Sequence, residues 1–287
     1  MFVRMASPAT VWRHRTGEIR LDRTRVMGIL NVTPDSFSDG GRYVDPDQAV
    51  RHGLEMVEHG ADLLDVGGES TRPGSDPVSA DEEWRRVGPV IRNLANKVDV
   101  PLSVDTMKPE VAAKAIDAGA SIVNDVSGLR EPAMVRVVAS GRVGAVVMHM
   151  LGNPKTMQSH PEYDDVVGEV RSFLSERIRI LEAAGVPSDA VAVDPGVGFG
   201  KTQEHNLALL RNLDRIAALG HPVVVGVSRK SFIERLGGGE SSERLSGGLA
   251  AASLAVAKGA HVVRVHDVRE TVRAMRVADA IARGEKL

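Results

Sequence analysis

The sequence predicts an α/β fold, a closed (β/α)8 barrel preceded by a short β-hairpin. Three observations carry this. Eight short β-branched runs alternate with longer stretches of helical periodicity along almost all of the 287 residues, the pattern of βα units around a parallel sheet. The length suits a single barrel, which takes roughly 250 residues. Prolines stand near several helix starts, and Gly60, Gly119, Gly185, Gly220 and Gly259 stand just past helix ends, the usual helix punctuation. The whole chain, 1–287, therefore reads as one domain, with 1–25 as a hairpin extension and 26–287 as the barrel.

In chain order, "VWRHRTGEIRL" reads as two short strands around Thr16-Gly17, a hairpin placed to cover the N-terminal mouth, the bottom of the barrel. Strands follow at Val26–Val32, Asp62–Val66, Leu102–Asp105, Ile122–Asp125, Ala145–Met148, Ala190–Asp194, Val223–Val227 and His261–Val265. The helices between and after them are expected at Pro46–His59, Ala80–Asn96, Pro109–Ala118, Pro132–Ser140, Asp164–Ala184, Gln203–Leu219, Leu245–Lys258 and Asp267–Ala282. The Gly-rich "LGGGESSERLS" reads as a surface loop with no domain boundary in it.

Composition narrows the function classes. A content of 43% hydrophobic and 26% charged residues is that of a soluble globular protein, and no apolar run is long enough for a membrane span. The first 20 residues contain no apolar run resembling a signal peptide, so a cytoplasmic location is expected. The absence of Cys excludes thiol nucleophiles and thiolate metal sites. A net charge of −2 and 3% aromatics leave nucleic acid without a basic field or a stacking surface. A small polyanion held by converging Arg side chains remains open.

In such a barrel the active site is built where the strands end. The polar residues found there are Asn31; Asp65 with Glu69, Thr71 and Arg72; Asp105; Asn124; His149; Asp194; Arg229 and Lys230; and Arg264 with His266. Any one of the Asp or Asn residues is equally explained as a turn former or helix cap. A polar group at every one of eight ends is not. Asp105, Asn124 and Asp194 suit the donor-rich edge of a flat heterocycle, whereas Arg72, Arg264, His266 and Asn31 suit phosphate oxygens, with a metal ion possible. Lys230 fits either the ring or the anion.

Two connections, "NVTPDSFSDGGRY" and "GGESTRPGSDPVS", exceed the usual βα length and are lid candidates. They carry Phe37 and Pro73; with Phe199, these loop residues suggest an apolar slot on the active face. "DPGVGFGKTQEHN" superficially resembles a nucleotide loop, but Pro195 occupies the first glycine position of a Walker pattern, and Gly196, Gly198 and Gly200 alternate too strictly for a dinucleotide fingerprint.

The stretches "MGILNVTPDSFSDGG", "DVGGESTRPG", "SVDTMKPEVA", "IVNDVSG", "MHMLGNPKTMQ", "DPGVGFGKTQEHN", "GVSRKSF" and "RVHDV", spread from Met27 to Val268, closely resemble the dihydropteroate synthases of folate biosynthesis. Gly248, where Thr is expected, and Met107, often Tyr, depart from the family pattern. The resemblance implies condensation of 6-hydroxymethyl-7,8-dihydropterin diphosphate with p-aminobenzoate, releasing diphosphate. It implies that Asp105, Asn124, Met148, Asp194, Phe199 and Lys230 hold the pterin, and that Asn31, Thr71, Arg72, Arg264 and His266 hold the diphosphate. Asn31 would also contact Mg²⁺. Phe37, Pro73, Phe199, Lys230 and Ser231 would form the p-aminobenzoate site, with Ser231 at a helix start where the dipole favours a carboxylate. Asp105, Lys230, Arg264 and Arg72 are the catalytic candidates, acting through early diphosphate departure and attack by the neutral aniline. A homodimer is implied by the family alone. The alternatives are a pterin-binding paralogue without turnover and a methyltetrahydrofolate–corrinoid methyltransferase.

Overall fold

Runs in which Val, Leu and Ile follow one another cannot lie half in water, and here each forms a strand covered on both faces. The computed structural model describes residues 9–33, 45–238 and 244–284. Its barrel strands are β3 (Arg25–Asn31), β4 (Leu63–Gly67), β5 (Leu102–Asp105), β6 (Ile122–Asp125), β7 (Gly144–Met148), β8 (Val191–Asp194), β9 (Val224–Gly226) and β10 (Val262–Val265). They pair in parallel in the order β8-β7-β6-β5-β4-β3-β10-β9. A parallel bridge between Val193 and Val223, with Val193 N donating to Pro222 O at 2.8 Å, closes the ring.

The helices are α1 (Pro46–Glu58), α2 (Ala80–Ala95), α3 (Pro109–Asp117), α4 (Pro132–Gly141), α5 (Val166–Ala183), α6 (Gln203–Arg211), α7 (Leu213–Ala217), α8 (Ser231–Ile233), α9 (Leu245–Ala257) and α10 (Val268–Arg283). Pro opens α1, α3 and α4, where its missing N–H costs nothing. Side chains of Asp45, Ser79, Asp165 and Thr202 accept from the first-turn amides of α1, α2, α5 and α6.

Three expectations need correction. The helix expected over Gln203–Leu219 breaks at Asn212 (φ −114°, ψ 30°), whose side chain donates back to Ala208 O at 2.8 Å and ends α6. Ala190 belongs to a 3-10 turn, Ser188–Ala190, and lies outside β8. The helix expected from Asp164 begins at Val166, because Asp165 is its cap. Of the Gly-rich stretch, Glu234–Gly238 forms one π-helical turn with Gly237 at φ 91°; residues 239–243 lie outside the described residues.

β1 (Val11–His14) and β2 (Gly17–Arg20) form the antiparallel hairpin, turning at Arg15-Thr16. Trp12, fully buried, packs with Ile19 and Leu21 on Met27, Leu63, Ile122, Val146, Ala192, Val224 and Val262. The indole Nε1 donates to Ala190 O at 3.2 Å. The hairpin therefore plugs the barrel's N-terminal end. Because side chains on one face recur every second residue, the next positions above this apolar layer are Ile29, Asp65, Asn124, Met148, Asp194, Gly226 and Arg264. The barrel interior turns polar within one such step.

Candidate active site

Around the C-terminal mouth, Asn124, Val126, Met148, Asp194, Val197, Phe199, Gly226, Lys230 and Arg264 line a tight pocket of about 20 Å³. Asp105 joins them through Arg264, whose Nη2 donates to Asp105 Oδ2 at 2.6 Å. The residues expected to hold a heterocycle, Asp105, Asn124, Met148, Asp194, Phe199 and Lys230, thus meet at one place although they span five strands and their loops.

A residue without an assigned role holds this group together. Asp65, completely buried on β4, accepts from Arg264 Nε (2.6 Å), Ser103 Oγ (2.6 Å) and Asn124 Nδ2 (2.9 Å). Sequence reasoning placed it at a strand end and gave it no ligand. Period-two spacing above Leu63 is the signal that turns it inward. Asp125, one residue after Asn124, faces the other way and accepts from Ser127 N and Leu129 N to close the β6–α4 turn.

The electrostatics follow from burial. Arg264 is opposed by its own desolvation, yet the carboxylates of Asp65 and Asp105 more than offset this and raise its pKa. Burial pushes Asp105 up to about 7 against the pull of Arg264, and pushes Asp194 up against its hydrogen bond from Gly196 N and the nearby cations. Burial, reinforced by Arg264, brings Lys230 down to about 8, while Asp194 and Asp105 hold it up. Its Nζ lies 4.1 Å from the centre of the Phe199 ring, a cation–π contact. The carboxyl groups of Asp65, Asp105 and Asp194 and the basic side chains of Arg264, Lys230 and Lys201 form one buried set, which suits a ring bearing both donors and acceptors.

The loop between β8 and α6 shows why "DPGVGFGK" needs its glycines. Gly196, Gly198 and Gly200 have φ of 68°, 82° and 62°, and a Cβ on Gly196 would lie 1.9 Å from His149 O. The loop's polar atoms are closely accounted for. Asp194 Oδ1 accepts from Gly196 N (2.7 Å), and Asn206 Oδ1 from Gly198 N (2.7 Å). The carbonyls of Gly198, Phe199 and Gly200 accept from Gln158 Nε2 (2.9 Å), Lys201 Nζ (2.9 Å) and Tyr163 Oη (2.8 Å). Lys201 points into the protein, so the stretch presents no phosphate cradle.

A second cavity, about 760 Å³, opens between α1 and α10 and is lined by Asn31, Arg72 and His266, with Arg51 and Arg229. Three residues expected on diphosphate therefore line the same cavity. Thr71 lies beside Arg72 in the β4–α2 loop, whereas Arg264 sits on the ring side, between Asp65 and Asp105. Burial lowers His266 to about 3, and its Nδ1 lies 3.1 Å from Ser228 Oγ, so it is a neutral hydrogen-bonding group at neutral pH. Glu69, between these regions, accepts from Val78 N (2.9 Å) and Lys108 Nζ (2.5 Å), shaping the β4–α2 loop.

Of the residues expected to line an aryl slot, Phe199 and Lys230 face each other, while Pro73 and Ser231 are exposed. Phe37 lies outside the described residues. Ser231 opens a helix of only three residues, α8, which continues as the π-helical turn, so the dipole argument for a carboxylate there loses most of its length. Among the described residues no cluster of three or more His, Cys, Asp or Glu could hold a metal ion. No helix among them is long and apolar enough to cross a membrane.

Comparison with known proteins gives the family to which the chain is similar. The family model described as pterin binding enzyme matches residues 27–266. Dihydropteroate synthase of Escherichia coli (strain K12) is 50% identical over 260 residues, 91% of this chain and 92% of that protein. The structure of Xanthomonas albilineans dihydropteroate synthase with 4-aminobenzoic acid is 50% identical, has a TM-score of 0.89, and covers 95% of this chain and 98% of its own. The same enzyme in complex with 7,8-dihydropteroate is 49% identical, with a TM-score of 0.84 and coverage of 92% and 95%.

Proposed function

This chain belongs to the dihydropteroate synthases, a family of pterin binding enzymes, and we propose that its two cavities divide that family's reaction between ring and leaving group. The chain condenses 6-hydroxymethyl-7,8-dihydropterin diphosphate with p-aminobenzoate to give 7,8-dihydropteroate and diphosphate. The observation that carries the assignment is the convergence of Asn124, Asp194, Lys230 and the Arg264–Asp105 pair around one pocket, with Asn31, Arg72 and His266 lining the next.

Asp194 accepts from the amino edge of the pterin, Asn124 supplies an amide, and the Lys230 ammonium donates to a ring acceptor while its stem and Phe199 pack on the aryl partner. Asp105 and Arg264 set the charge beside the reacting methylene. Arg72 pairs with diphosphate oxygens, and His266 donates a neutral hydrogen bond, its Nδ1 already engaged by Ser228. As the carbon–oxygen bond breaks, its electron pair leaves with diphosphate and the pterin ring spreads the positive charge. The aniline nitrogen then bonds to the methylene carbon and releases its proton. No enzyme nucleophile is required. Exclusion of water from the site would keep the cation from being trapped as the alcohol.

The donor set fits Mg²⁺ carried by the substrate rather than by a protein cage. Asn31 would give one amide oxygen beside the diphosphate, and Mg²⁺ commonly takes its remaining ligands from phosphates and water. Bound there, the ion would neutralise the leaving group. A homodimer through the late helices is supported by Leu254 (69% exposed) on α9 and Val277 and Ile281 (60% and 81%) on α10; light scattering tests it. A cytoplasmic location is consistent with this chemistry.

The deciding experiment is diphosphate release with and without p-aminobenzoate. A synthase releases diphosphate in step with formation of dihydropteroate. Pterin binding without release would mark a binding paralogue, and methyl transfer to a corrinoid would mark the other alternative.

A further inference from the structure

Two residues, His149 just after β7 and Lys201 in the β8–α6 loop, have no part in the reaction described above, yet they are among the most buried polar groups of the barrel mouth. Lys201 is 3% exposed and His149 is 6% exposed. Lys201 Nζ lies 3.0 Å from His149 Nδ1, 3.2 Å from His149 O and 2.9 Å from Phe199 O. An ammonium has three N–H donors and no acceptor, so three acceptors satisfy it completely. This demands that His149 Nδ1 offer a lone pair and that the ring be neutral with its proton on Nε2. Burial, with Lys201 and Arg130 nearby, lowers His149 to about 3, in keeping with a neutral ring. Phe173 meets the imidazole edge-on at 5.0 Å and fixes its plane.

We propose that Lys201 is a positioning residue for the pterin site: its ammonium clamps the β8–α6 loop to the end of β7 through His149 Nδ1 and the carbonyls of His149 and Phe199. The loop so held follows directly on Asp194 at the end of β8 and carries the glycines and Phe199, whereas β7 contributes Met148; the clamp thus fixes one side of the ring cavity against the next. The approach is close. Gly196 passes so near His149 O that no side chain fits between them. Lys201 never touches the ring and acts through the backbone it anchors. The inference rests on the pterin-site reading.

Two measurements test it. In the wild-type protein without ligand, ¹⁵N NMR of histidine at about pH 6, where an amine whose pKa burial lowers only to about 7 stays mostly charged, should show His149 protonated on Nε2 with a bare, hydrogen-bonded Nδ1. A proton on Nδ1 overturns the clamp. In Lys201→Met the KM for the pterin diphosphate should rise at least ~tenfold with kcat changed less than ~threefold, the mark of lost ground-state positioning. Loss of kcat in proportion to the folded fraction, with KM unchanged, would mean Lys201 serves the fold alone and overturns the proposal. Should Lys201→Met not fold, His149→Phe removes one acceptor of the three and should raise KM to a smaller extent; an unchanged KM counts against the clamp. If the wild-type chain forms no dihydropteroate, the reaction assignment has failed separately. The same fold-changes are then read as dissociation constants for pterin by calorimetry.

Discussion

Asp65 shows how one side chain can set several others. Its two oxygens serve the guanidinium of Arg264, the amide of Asn124 and the hydroxyl of Ser103, and none of its surface reaches water. Asp65→Asn would put an NH₂ group against donors and strip the charge that holds Arg264. Breaking a buried ion pair from one side costs ~3–5 kcal/mol, so the denaturation midpoint should fall markedly, and kcat/KM should drop ~100-fold as Arg264 loses its setting. Wild-type stability and rate in this variant would mean that Asp105 alone holds Arg264. The neighbouring titrations give a second expectation. Asp105, raised to about 7, offers two acceptor oxygens and a charge to Arg264 only when ionised, so binding weakens as pH falls through that value; Lys230, lowered to about 8, donates as a cation only below it, so binding weakens again as pH rises. The profile of kcat/KM for the pterin substrate should be a narrow bell between these limits. A profile flat from about pH 6 to about pH 9 would remove both groups from the pH-sensitive machinery.

At the scale of the element, the β8–α6 loop separates what spacing reveals from what it hides. Asp194 reads from the sequence as a polar strand end, and it does end β8. The close approaches of Gly196 to His149 and of Gly200 to Leu151, and the inward turn of Lys201, are contacts with the segment that follows β7, 52 residues before Lys201 in the case of His149, and leave no local pattern. The strands were legible because a fully buried strand reads as a continuous apolar run, and the helix boundaries because Pro, Gly and side-chain caps mark them. The break at Asn212 was not, since an Asn inside a periodic stretch looks helical until its side chain is seen to cap the turn before it. Gly196→Ala should cost at least ~3 kcal/mol, because left-handed strain adds to a contact with backbone at 1.9 Å that cannot relax. Gly74→Ala is the control: φ is +80° there too, but nothing lies within 4 Å, so only the conformational cost of ~1 kcal/mol applies. Equal losses for the two in urea titrations would show that strain, not proximity, governs the loop.

Across the whole molecule, the site's placement follows from one repeated step: an apolar layer capped by the Trp12 hairpin, then a polar layer two residues further along strands that all point the same way. That part of the site was readable from strand ends alone. The split into a ring cavity and an anion cavity was not, because it depends on Asp65 drawing Arg264 to the ring side while Arg72 stays out on its loop with Asn31 and His266. The ring also has a weak joint. β8 and β9 meet through the single bridge of Val193 with Val223, Pro222 has no N–H to add, and β9 is three residues long, whereas β6 and β7 pair over four positions. Asp194 stands on one side of that joint; Gly226, Lys230 and Arg264 stand on the other. A pterin bound between them would supply the cross-links that the backbone lacks, so its binding energy should appear as closure of the barrel. In hydrogen exchange, the β9 amides should exchange faster than those of Val146 and Val147 in the free protein. A pterin ligand at about 100 times its Kd should slow β9 by up to ~100-fold, matching ~2.7 kcal/mol of linkage. Protection that starts uniform around the barrel, or that rises equally in β6 and β9, would mean the eight strands open as one unit and the ligand spans no joint.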